Sequence, residues 1–281
     1  MNRYRRLYND ICHKLFDPQG ILLKYYSAEP NVGDVLNTYM IPKITGRSVH
    51  KSYTHKFEHL MAIGSLLEGA GPRSVIWGSG SINGTGPIRP VTAARICALR
   101  GKKSLALMEK ACGASLDVPL GDPALLMPMF YDPAVETDKE IGIVPHHSEK
   151  DLSRQLGKLI TDDHLIIDVA LDPETFIQQM KRCNVVMSSS LHGLILADAY
   201  GIPSKWISIS DRLKGGDWKF GDYYSVTSTP MESPYRTPSV DSLMDHLETL
   251  SRAAEISRYT GSREQLLKSF PASFMESNRR G

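Results

Sequence analysis

The chain has 281 residues, 41% of them apolar and 23% charged, with a formal charge of +2. These are the proportions of an ordinary globular protein with one large or two compact domains, which excludes a fibre or a disordered chain. So small a charge does not by itself point to nucleic acid, and no apolar run approaches the roughly 20 residues needed to cross a bilayer.

The chain opens on the basic stretch Met1-Asn2-Arg3-Tyr4-Arg5-Arg6. Asp10, His13, Lys14 and Asp17 then interrupt any apolar core of a secretory signal, so a cytoplasmic protein is expected. The preferred reading of this stretch is a solvated helix end. Peripheral contact with the anionic inner face of the plasma membrane is the alternative. Cys12, Cys97, Cys112 and Cys183 form no C-x-x-C pair and lack zinc-finger spacing. They are expected to be buried as small apolar residues in a reducing compartment.

Further along, short β-branched runs predict strands at residues 21–26, 60–64, 74–77, 95–99, 141–145, 165–169, 184–187 and 205–209. Amphipathic segments predict helices at 33–44, 102–111, 150–160, 173–182, 191–199 and 241–254. Such alternation indicates an α/β fold with parallel sheets. Pro-rich sequence at 127–133 and polar sequence at 137–140 suggest a boundary. The expected organisation is two Rossmann-like domains facing a cleft: residues 1–135, then 136–281 with a C-terminal helix. The last ten residues are expected to be loose.

Two stretches carry candidate chemistry. From Gly69 to Met108 there is no acidic residue, while Arg73, Arg89, Arg95, Arg100, Lys102 and Lys103 all occur. Within it, Gly78, Ser79 and Gly80 follow a strand, where glycines let backbone amides approach an anion. A tight turn beside a solvated basic face is the competing reading. The run is not a dinucleotide fingerprint, because the third glycine position holds Asn83. The second stretch is Ser188-Ser189-Ser190-Leu191-His192, between a strand and a helix. There, serine hydroxyls and free helix amides suit a phosphate or carboxylate. The helix dipole and a bound anion act on the His192 proton in opposite senses, which suits exchange near neutral pH. Ser capping and His packing for structure is the alternative.

Three further motifs suggest chemistry that their context does not support. The motif His55-Lys56-Phe57-Glu58-His59 matches H-x-x-E-H but has no third metal ligand in view. His146 and His147 are expected to point to opposite faces of a strand, so that only one serves the cleft. Ser190 lacks the G-x-S-x-G elbow of a serine nucleophile.

Several blocks occur in one order: Asn31-Val32-Gly33-Asp34, Ile63-Gly64-Ser65, Val75-Ile76-Trp77-Gly78-Ser79-Gly80, Leu99-Arg100-Gly101 and Gly121-Asp122-Pro123. They continue with Ile143-Val144-Pro145-His146, the Ser188–Leu194 stretch, Ala197-Asp198-Ala199-Tyr200-Gly201-Ile202-Pro203 and Lys219-Phe220-Gly221-Asp222-Tyr223-Tyr224. This series resembles the bacterial polysaccharide pyruvyl transferase family, and most closely the ketal pyruvate transferases of xanthan and succinoglycan synthesis. The resemblance covers about residues 20 to 225. It implies a GT-B-like fold, phosphoenolpyruvate as donor, and a sugar acceptor within a lipid-linked oligosaccharide for exopolysaccharide or cell-surface glycan. No metal or other cofactor is expected, because the sequence has no carboxylate cluster or convincing His/Cys ligand set near the anion site.

By motif, Arg100 and His192 match the family's donor-site arginine and histidine. Asp34, Asn37, Gly78, Ser79, Gly80, His146 and Ser190 match other cleft positions. Arg100 would clamp the donor's carboxylate or phosphate, with Ser188, Ser189 and Ser190 taking the other group. His192 would deliver a proton and Asp34 would serve as base for a sugar hydroxyl. The alternatives are a GT-B glycosyltransferase using a nucleotide sugar, or a non-catalytic glycan- or anion-binding protein.

Overall fold

A computed structural model describes residues 2–210, 212–213, 215–231 and 233–275. Two parallel five-stranded sheets alternate with helices. The first half runs α1 (Arg3–Phe16), β1 (Ile21–Leu23), α2 (Val32–Thr45), β2 (Val49–Lys51), β3 (His59–Met61), β4 (Ser74–Trp77), β5 (Ile96–Ala98) and α3 (Lys102–Cys112). The second runs β6 (Lys139–Val144), α4 (Lys150–Leu156), β7 (His164–Ile166), α5 (Pro173–Lys181), β8 (Cys183–Ser188) and α6 (Leu191–Tyr200). It continues with β9 (Ser204–Ser208), α7 (Trp218–Tyr224), β10 (Tyr235–Arg236), α8 (Val240–Arg252) and α9 (Arg263–Lys268). The strand orders are β2-β1-β3-β4-β5 and β10-β9-β8-β6-β7, with every pair parallel.

Burial explains the strand sequences. β1, β3 and β4 are buried at every position, so their apolar runs are continuous where a half-exposed strand would alternate. Helix starts are set by capping side chains: Asn31 accepts from the Asp34 amide, and Asp172, followed by Pro173, accepts from the Thr175 amide. One apolar core joins residues of both halves, including Leu36 and Leu125 with Leu194, Trp206 and Phe220. Smaller clusters lie between α3 and the first sheet and between α8 and the second.

After α8 the chain returns to the first half. Trp77 Nε1 donates to the Leu266 carbonyl (2.9 Å), Arg47 donates to the Phe274 carbonyl (3.1 Å), and the Tyr259 hydroxyl bonds to the Leu120 carbonyl. Phe274 is buried, so the chain up to that residue is anchored and not loose; residues 276–281 lie outside the described residues. Of the cysteines only Cys183 is buried, and the other three are half-buried, contrary to expectation.

Candidate active site

The strands of each sheet are parallel, so all their carboxyl ends lie on one edge. The two edges meet at a cavity of about 530 Å³. Lys24 enters it after β1, Ser65 after β3, Ile82 after β4, His146 after β6 and His192 after β8. This is where open α/β sheets bind ligands.

Four expected site residues line the cavity: Asp34, His146, Ser190 and His192. His192 sits in the first turn of α6. Its Nε2 is enclosed and lies 3.7 Å from Asp122 Oδ2, and neither atom has a hydrogen-bond partner among the described residues. Asp122 is wholly buried, and its other oxygen caps the turn Pro123–Met129 by accepting from the Ala124 amide. The imidazole also packs against Gly33. A Cβ there would fall 1.9 Å from His192 Nδ1, so only glycine leaves room for the ring.

Asp34, on α2, accepts from the Tyr26 amide (3.1 Å) and from the Asn31 side chain. Burial holds its carboxyl above the usual carboxylate range, opposed by the Asn31 bond and by the His192 charge. His146 caps the turn His147–Glu149, and burial, followed by the Lys219 charge, pushes its imidazole down to about 2. It is therefore a neutral hydrogen-bonding group at ordinary pH. His146 and His147 lie beyond the end of β6, and their rings approach to 4.0 Å with both lining the cavity. The expected opposition of the two across a strand does not occur, because the strand has already ended.

The remaining expected residues lie behind the cavity wall. Arg100 is wholly buried and reaches the cavity only through Ser65: it donates to Asp222 (2.9 Å), the Ser65 hydroxyl (2.8 Å) and the Ser81 carbonyl (2.7 Å). Asn37 clamps Ile63 through both its amide groups. Gly78 has φ +87° against Pro123, and a Cβ on Gly80 would fall 2.2 Å from Arg100 Cζ. Ser79 donates to the Ala62 carbonyl (2.6 Å). The amides of Gly78, Gly80, Ser81, Ile82 and Gly84 are all spent within the protein, so these five offer no cradle to an anion. Ser188 ties the turn to Val144 and Ser190, and Ser189 accepts from the His146 amide and donates to Glu149.

Nor do the basic residues of 69–108 gather into one anion surface. Arg95 pairs with Glu58, and Arg100 with Asp222. The cations at the cavity are instead Lys24, Arg212 and Lys219. Lys219, on α7, is 6% exposed and makes no hydrogen bond or ion pair with a described residue. Burial, then the Arg100 charge, lowers its ammonium to about 8. Beside it, Ser190 provides no side-chain cap to α6, leaving first-turn amides available.

The sequence profile of the family described as polysaccharide pyruvyl transferase matches residues 92–211. An uncharacterized protein, L143, of Acanthamoeba polyphaga mimivirus is 30% identical over 214 residues, 73% of this chain and 74% of that protein. The chain belongs to the polysaccharide pyruvyl transferase family. For a pyruvyl transferase, the profile match takes in Asp122, His146, Ser190 and His192, whereas Asp34 and Lys219 lie outside it.

Sequence reasoning did not name Asp122 and Lys219 as site residues of this transferase. Asp122 sits in a Gly-Asp-Pro turn that reads as an ordinary helix cap. Lys219 lies on a helix buried at six of its seven residues, from Lys219 to Tyr224, so it lacks an amphipathic stripe. The H-x-x-E-H motif does not assemble: Glu58 binds Arg95, while His59 bonds to the Phe57 carbonyl and to Ser74.

Proposed function

We propose that this transferase moves the enolpyruvyl unit of phosphoenolpyruvate onto two hydroxyls of one sugar residue as a cyclic ketal. The observation that carries the reading is a buried lysine, with no hydrogen bond or ion pair to a described residue, at the same cavity as an open helix start and an enclosed His–Asp pair. Phosphoenolpyruvate carries two anionic groups. Lys219 and the amides of the first turn of α6 offer two sites for them, with Ser190 and neutral His146 as hydrogen-bonding groups.

A proton delivered to the methylene carbon makes the central carbon electrophilic. One sugar hydroxyl adds there, phosphate leaves, and a second hydroxyl closes the ring. The two hydroxyl protons balance the one gained by carbon and the one that accompanies phosphate. His192 Nε2 faces Asp122, which leaves Nδ1 as the nitrogen for proton transfer. Asp122 would stabilise the imidazolium as it forms, as an orienting carboxylate does in a catalytic triad. Asp34, with its raised affinity for a proton, is suited to take one from a sugar hydroxyl. None of these steps calls on a metal ion. A lipid-linked acceptor for exopolysaccharide or surface glycan belongs to the same proposal.

Incubation with phosphoenolpyruvate and candidate oligosaccharides should release phosphate and add the mass of one pyruvate ketal to the sugar. Release of a nucleotide from a nucleotide sugar, with no reaction of phosphoenolpyruvate, would replace this reading with glycosyl transfer.

A further inference from the structure

Helix α1 is attached to the protein by the side expected to face water. Its one buried residue is Asp10, whose carboxylate accepts from the amides of Tyr53 (2.9 Å) and Thr54 (2.8 Å) and from the Thr54 hydroxyl (2.6 Å). His13 stacks on His50 from the same side, with ring centroids 4.4 Å apart. The opposite side carries Tyr4, Tyr8, Ile11 and Leu15 at helical spacing, all exposed, with Phe16 beside them. Tyr4 is 84% exposed and Phe16 87%. A surface helix of a globular protein turns its apolar stripe inward, so this one is inverted. A contiguous exposed apolar strip of this kind marks an interaction surface.

Charge decides among partners. Arg3 and Arg5 flank the strip on opposite sides by their helical positions, and both are exposed. The only acid on the helix, Asp10, is already spent. On the attached side, where the helix start meets Tyr53 and Thr54, Arg3, Arg6, Lys56 and Arg89 line a cleft of about 590 Å³ whose described lining contains no acidic residue. An apolar helix face bordered by arginines matches a bilayer with anionic headgroups, with rings and aliphatic chains at the acyl boundary and cations at the phosphates.

We propose that α1 and the basic cleft beside it dock this protein on an anionic phospholipid bilayer. The site bears on catalysis through one contact. His55 lines the basic cleft, Lys24 lines the active-site cavity, and Lys24 Nζ lies 3.1 Å from His55 Nε2. The two spaces therefore adjoin at this contact.

Binding is read without turnover, so the outcome is independent of which donor or acceptor the enzyme uses. The intact protein is sedimented with vesicles of phosphatidylcholine alone and of equal parts phosphatidylcholine and phosphatidylglycerol. It should bind the mixed vesicles, less so as salt rises, and bind phosphatidylcholine poorly. Leu15→Ser with Phe16→Ser should abolish binding. Arg3→Glu with Arg6→Glu should weaken it by at least about fivefold per arginine removed. All four positions are exposed, so circular dichroism should be unchanged. Failure to bind the mixed vesicles, or equal binding by both variants, would overturn the proposal. So would a dimer in sedimentation velocity that Leu15→Ser with Phe16→Ser converts to monomer, which would make a second copy the occupant.

Discussion

Glutamine at position 192 keeps a hydrogen-bonding side chain of similar reach but cannot cycle a proton near neutral pH. With His192 enclosed against Asp122 and Gly33, turnover of His192→Gln should fall about 10²- to 10⁴-fold, while phosphoenolpyruvate affinity changes much less. Single-turnover rates and donor titration, measured separately, check this; normal turnover would reduce the histidine to packing. Lys219→Met should do the opposite. Losing one charge-assisted contact is worth roughly 1.5–3 kcal/mol, or about 10- to 150-fold in donor affinity. A pH dependence follows from its ammonium lying at about 8. Below that value the lysine is charged and attracts the donor; above it the charge is lost. Donor affinity in the parent protein should therefore weaken as pH rises through about 8, and calorimetric titration of Lys219→Met should show no such weakening.

Among the elements, Arg100 is a fully buried link between the halves of the chain. Its ion pair with Asp222 ties the loop after β5 to α7, and both side chains are completely enclosed. Arg100→Met would leave the buried Asp222 carboxylate without its counter-ion, held only by Ser104 among the described residues, and should cost about 3–5 kcal/mol of stability, visible in denaturant unfolding. A loss of donor binding with stability unchanged would make Arg100 a donor ligand instead. The sequence shows the eight longer or more apolar strands and six helices because β-branched runs and helical stripes repeat there. It does not show β2, whose three half-buried residues include His50 and Lys51, or β10, with only two residues. Nor does it show α7, which is buried nearly all round, or α9, which has only six residues; of α1 it shows the solvated start but not the inverted pattern. In the site, the strand–turn–helix at 188–192 is legible because the ligand edge of a parallel sheet follows from chain order. Asp122 and Lys219 are not, because their meaning comes from a fold that brings distant segments together.

For the whole molecule, the continuous core makes a testable statement about cooperativity. Leu125 and Leu126 of the first half share one buried cluster with Leu194, Trp206 and Phe220 of the second. Further bonds cross between the halves: Val32 N–H to the Val169 carbonyl (2.6 Å) and the Tyr39 hydroxyl to Glu174 (2.6 Å). Scanning calorimetry should give one transition, with calorimetric and van't Hoff enthalpies in agreement. Two resolved transitions would show that each sheet folds with its own helices. The return of the chain after α8 has a mechanical consequence. The polypeptide crosses from one sheet to the other twice, between Met129 and Lys139 and again between Arg252 and Arg263. One crossing would act as a ball joint and permit twist in any direction. Two act as the pins of a door, so any widening of the cavity is confined to swinging about the line that joins them.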